Sequence, residues 1–100
     1  MLETKPFDAA EYIDTPEDVV TYLNIVAEEN DLAALYEAIG TVARSRGMTE
    51  ISKRTGLSRE SLYKALREDG NPSFATVCKV LGALGLRLSV TQDDSLLAPA

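Results

Sequence analysis

The run Gly56-Leu57-Ser58-Arg59-Glu60-Ser61-Leu62-Tyr63-Lys64-Ala65-Leu66 holds the side chains with the most chemistry to offer. Ser58 is a good helix N-cap. On a helix that starts there, Leu62, Ala65 and Leu66 face inward. Ser58, Arg59, Glu60, Ser61, Tyr63 and Lys64 are then left outside. Arg and Ser donate hydrogen bonds to base edges and to phosphates, and a helix N-terminus favours anions. A short helical piece, Thr49 to Thr55, precedes the Gly-Leu turn. Two short helices around such a turn make a helix-turn-helix pattern, which reads double-stranded DNA with its second helix. Thr49, Asn71 and Ser73 are additional candidates for phosphate contacts.

Catalytic chemistry lacks its usual parts. The chain has no His, so neither a Ser–His nor a Cys–His nucleophile pair can form. One Cys and no His exclude the ordinary zinc ligand sets and an intrachain disulfide. Cys78 falls on an apolar stripe and reads as a core residue. The acid pairs Glu17-Asp18 and Glu28-Glu29 are adjacent and diverge on a helix, so they read as caps and surface charge. Gly82 and Gly85 do not make a phosphate loop. A binding protein without catalytic residues, metal or cofactor is expected.

The elements that must position the DNA-reading residues are short and capped. The chain has 100 residues and 10.8 kDa, room for one domain whose core rests on aliphatic side chains. Residues 1–14 read as an extended arm. Thr15-Pro16-Glu17-Asp18 starts a helix to about residue 29, with Asp18 at the capping-box position and Val19, Leu23 and Val26 as its stripe. Asp31 caps a second helix that runs to about Arg46 and stops at Gly47. Gly40 inside it marks a place where another helix approaches closely. After Asp69-Gly70-Asn71-Pro72, Ser73 caps a helix with Phe74, Val77, Cys78, Leu81 and Leu84 as its buried face. Leu86-Arg87-Leu88-Ser89-Val90 alternates and predicts one short strand. A lone strand needs an edge, and the same strand of a second copy supplies one, so Leu86, Leu88 and Val90 are the predicted dimer contacts. The domain plan is an acidic arm and helix over 1–31, a DNA-binding unit with its dimerising strand over 32–90, and a tail over 91–100.

Charge is split along the chain. The net charge is -6, yet residues 1–31 carry nine acids against Lys5 alone, while residues 44–67 carry seven bases against two acids. Local fields steer association more than the sum does. The acidic front suits a basic protein partner, with Phe7, Tyr12 and Ile13 as apolar anchors among Asp8, Glu11 and Asp14. No apolar run approaches a membrane span, and the first ten residues lack the regions of a signal peptide, so a cytoplasmic protein is expected.

The Ser-Arg-Glu-Ser-Leu-Tyr-Lys-Ala-Leu run with Gly70-Asn71-Pro72-Ser73-Phe74 and Ala83-Leu84-Gly85-Leu86 resembles the addiction-module antidote family. Phe7-Asp8, Tyr22-Leu23 and Arg44-Ser45-Arg46-Gly47 extend the resemblance over about residues 5–92. It implies an antitoxin of a type II toxin–antitoxin module, paired with a small basic toxin of the RelE/ParE class and repressing its own operon. The implied fold is all-α: a lambda-repressor-like (Cro/C1, Xre-type) helix-turn-helix domain with an extra N-terminal helix and one short C-terminal strand. Ser58 to Leu66 would be the recognition helix of a homodimer bound to operator DNA. One departure stands out: only eight residues separate Gly47 from Gly56, and the Gln that often meets the phosphate backbone has no clear match, which leaves Thr49 for that contact. The alternative reading is a helix-turn-helix transcriptional regulator without a toxin partner.

Overall fold

A computed structural model describes residues 13–96. Those residues form five α-helices and no strand: α1 (Pro16–Glu28), α2 (Leu32–Arg46), α3 (Met48–Thr55), α4 (Arg59–Ala65) and α5 (Phe74–Ala83), followed by a 3-10 turn at Asp94–Leu96. The starts follow local hydrogen bonding. Thr15 Oγ1 accepts from the Asp18 N–H at 3.1 Å, and the Asp18 carboxylate accepts from the Thr15 N–H at 3.2 Å, a complete capping box. Asp31 caps α2 by accepting from the Ala34 N–H at 3.2 Å. Between these helices Asn30 turns the chain in the left-handed region, with φ 57°.

One core joins all five helices. Val19 of α1, Ile39 and Val42 of α2, Ile51 of α3, Leu62 of α4 and Val80 of α5 are each essentially inaccessible. Ile13, ahead of α1, is buried in the same cluster. Tyr22 sits half-buried in it, and that burial raises its phenol above the usual value, against the lowering effect of Thr41.

Gly40 sets how closely α4 approaches α2. A Cβ added there would collide with the Leu66 carbonyl oxygen and lie 3.2 Å from Leu66 Cβ. The close helix approach expected at Gly40 is therefore present, made by the C-terminal end of α4. The Glu68 N–H donates to the Glu37 carboxylate at 3.2 Å and ties the following loop to the same face of α2.

Two expectations are corrected. The buried face of α5 is turned toward Val80: Val80 and Leu81 are buried, whereas Phe74 is 74% exposed and Cys78 is also exposed. α5 carries apolar residues around most of its circumference, which leaves the candidate buried face broad; packing on α3 centres it toward Val80. Cys78 is thus a surface residue and not part of the core. Residues 86–90 form no strand. A ladder needs a second extended segment, and a single chain supplies none among the described residues.

Gly40→Ala tests the α2–α4 contact. Alanine gains about 1 kcal/mol in helix propensity, but its methyl group meets backbone that cannot swing aside, and overpacking costs about 1–3 kcal/mol. The urea midpoint is expected to fall; an unchanged or higher midpoint would contradict the close approach.

Candidate nucleic-acid interface

α3 and α4 are joined by Gly56, Leu57 and Ser58. Gly56 ends α3 in the left-handed conformation, φ 77°, which a side chain would strain. Two hydroxyls of α3 then fasten the turn. Ser52 Oγ donates to the Leu57 carbonyl at 2.6 Å, and Thr55 Oγ1 accepts from the Leu57 N–H at 3.1 Å while donating to the Ile51 carbonyl at 2.8 Å. Both backbone groups of Leu57 are thereby satisfied by the helix before the turn. Sequence reasoning does not single out Ser52 and Thr55; the available signal is a pair of hydroxyl residues in the last turn before a Gly-Leu.

α4 leaves the turn capped by Ser58, whose Oγ accepts from the Ser61 N–H at 3.0 Å and donates to Ser61 Oγ at 2.9 Å. Leu62 and, just beyond the helix, Leu66 anchor it in the core. Arg59, Glu60, Ser61, Tyr63 and Lys64 are all exposed. Ser61 and Lys64 line an open cleft of about 430 Å³ together with Arg67 and Asn71 from the following loop. Ser73 serves the fold by capping α5, where it accepts from the Thr76 N–H at 3.0 Å. Thr49 is exposed in the first turn of α3, outside that cleft.

The basic stretch is divided by its neighbours. Arg54 pairs with Glu50 at 3.0 Å and donates to the Ala83 carbonyl at 3.2 Å, a tie from α3 to the end of α5. Arg67 pairs with Asp69 at 3.2 Å. Arg44 lines a cleft with Glu37, Glu68 and Asp69. Arg46, Lys53, Arg59 and Lys64 are exposed and carry no ion pair among the described residues. Two of these four cations belong to α4.

The other candidate residues fall elsewhere. Phe7, Asp8, Glu11 and Tyr12 lie outside the described residues. Ile13 is buried in the core, and Asp14 beside it is exposed. Leu86 is half-buried, Leu88 half-exposed and Val90 98% exposed, so accessibility rises along the segment that leaves α5. Among the described residues, no helix is long and apolar enough to cross a membrane.

The family model "Probable addiction module antidote protein" matches residues 3–92. The chain belongs to this family. Among curated relatives of this chain, an uncharacterized protein of Haemophilus influenzae strain Rd is 44% identical over 91 residues, covering 91% of this chain and 94% of the relative. No solved structure matches this chain. The matched span includes α1 to α5 and most of the segment after them.

Thr55→Val tests the turn. It keeps the side chain's branching but leaves the half-buried Leu57 N–H without its acceptor, a loss of about 1–3 kcal/mol. Urea unfolding is expected to report that loss, and wild-type stability would show that the hydroxyl does not hold the turn.

Proposed function

We propose that the protein is a DNA-binding antitoxin: it neutralises a small basic toxin of the RelE/ParE class and represses the operon that encodes both. Membership in the antidote family supports the toxin half of this reading. The observation that carries the DNA half is α4, a capped helix held by Leu62 and Leu66 with Arg59, Ser61, Tyr63 and Lys64 turned outward. In this reading α3–α4 is a helix-turn-helix and α4 enters the major groove. Arg59 and Lys64 divide base and phosphate contacts between them. Ser58 contributes by setting the start of α4, and Asn71, Ser73 and Thr49 flank it. Glu60 can accept from a cytosine amino group.

Two copies act together. Backbone pairing of residues 86–90 across a two-fold axis would space two α4 helices about one DNA turn, ~34 Å, apart. Toxin binding belongs to the acidic front of the chain, residues 1–31. A basic toxin is drawn to that field, and an arm carrying Phe7 and Tyr12 among Asp8, Glu11 and Asp14 adds apolar anchors.

The DNA half is tested by electrophoretic shift and footprinting on the protein's own promoter. Wild type is expected to protect two half-sites about 34 Å apart with strong salt dependence. Arg59→Ala should weaken specific binding by about 1–3 kcal/mol. Absence of salt-sensitive retention, or a monomer covering a single half-site, would refute it.

The toxin half is tested by co-expression with the toxin encoded beside the gene. Wild type is expected to copurify with the toxin and restore growth. Deleting residues 1–12, which spares the buried Ile13, should weaken both. Full rescue by the truncated chain would remove the arm from the toxin contact.

A further inference from the structure

Two clefts meet along α1. The first is a mostly apolar slot of about 150 Å³, walled by Val20 and Leu23 of α1, Ile39 of α2 and Leu81 of α5, and closed by Leu86, Arg87 and Leu88. Its closing wall is built by the end of α5. The Leu86 N–H donates to the Leu81 carbonyl at 2.8 Å and the Gly85 N–H to the Gly82 carbonyl at 3.0 Å, a Schellman closure that brings Leu86 back toward Leu81. An apolar space of roughly 150 Å³ accepts a benzene-sized group. The slot therefore has room for one large apolar side chain, and Val20 and Leu88 leave it open at the rim.

The second cleft, about 840 Å³, is lined by the carboxylates Glu28, Asp93 and Asp94, and by no Lys or Arg among the described residues. Asp93 is held in place by Ser95, whose hydroxyl and N–H donate to one carboxylate oxygen at 2.6 and 3.0 Å. Those bonds hold its carboxyl below the usual range. Asn24 and Ala27 line both clefts, so the apolar slot adjoins the acidic one directly.

We propose that this double cleft is the toxin-docking surface among the described residues, taking a toxin segment that sets one Phe-, Leu- or Ile-sized side chain in the slot and an adjacent Arg or Lys among Glu28, Asp93 and Asp94. The proposal rests on the antitoxin reading and assigns it a surface. Charge favours a basic partner over a second copy. A two-fold contact centred on this patch would bring like carboxylates together in a chain already at -6, whereas a cationic segment is drawn in and oriented. The dimer need not compete for it. Strand pairing would use the backbone edge of residues 86–90, and the slot uses the side chains of Leu86 and Leu88.

The test uses the full-length protein and the toxin encoded beside it, measured by surface-immobilised binding kinetics. Ala27 is exposed at the seam, so Ala27→Trp fills both mouths without entering the core. It is expected to weaken toxin binding about 30-fold or more, the scale of a lost interface anchor. A second variant, Glu28→Gln with Asp93→Asn and Asp94→Asn, should slow association about 10-fold at low salt and flatten its salt dependence. Helical circular dichroism checks the fold of each, and the carboxylate variant decides the matter if Ala27→Trp unfolds. A wild-type chain that does not hold the toxin overturns the antitoxin reading and this surface with it. Wild-type binding matched by both variants overturns the surface alone. Loss of self-association by Ala27→Trp with toxin binding intact assigns the slot to a second copy and also overturns the proposal.

Discussion

A helix of seven residues does not persist in water by itself, because so few turns cannot offset the cost of starting it. α4 exists because Leu62 and Leu66 are buried against its neighbours and because Gly40 lets the Leu66 backbone come close to α2. Everything the outward face of α4 can do depends on that contact. The turn before it adds a second constraint. Ser52 and Thr55 satisfy both backbone groups of Leu57, so α4 leaves α3 along a direction that α3 itself dictates. The exposed face of so short an element is held in place only because both of its ends are tied.

The electrostatics follow the same logic of local ties. Arg54 and Arg67 belong to nearby carboxylates, and Arg54 also reaches the last turn of α5. These exposed pairs add little stability. Their larger effect is to withdraw two cations from the basic stretch, which leaves Arg59 and Lys64 as the cations of α4 that carry no ion pair among the described residues. The acidic side is likewise organised. Glu28 near the end of α1 and Asp93-Asp94 after α5 line one cleft, though 65 residues lie between Glu28 and Asp94.

The segment after α5 shows how one sequence pattern serves two structural ends. Leu86-Arg87-Leu88-Ser89-Val90 alternates as a strand does, and alternation places Leu86 and Leu88 on one side. In the single chain that side lies along the apolar slot beside α1 and α2, with no ladder formed. Burial along that side is partial: Leu86 is half-buried, while Leu88 is half-exposed and Val90 stands almost fully in water.

Much of the fold was legible in the sequence because helix starts are decided within four residues. Thr15 with Asp18, Asp31, Ser58 and Ser73 each cap the helix they were expected to start, since an N-cap hydrogen bond needs only the residue three positions on. Gly40 was legible for a different reason: glycine inside a helix costs stability unless something needs the space. What the sequence could not decide was orientation. α5 carries apolar residues around most of its circumference, so only packing on α3 chose Val80 over Phe74 and Cys78 as its buried side. The turn hydroxyls, the sorting of paired from unpaired arginines and the joining of an apolar slot to an acidic cleft also waited on the tertiary structure. Each depends on distances between residues on different elements. Local hydrogen bonding determines where helices begin; only the shared core determines which of their faces remain in water.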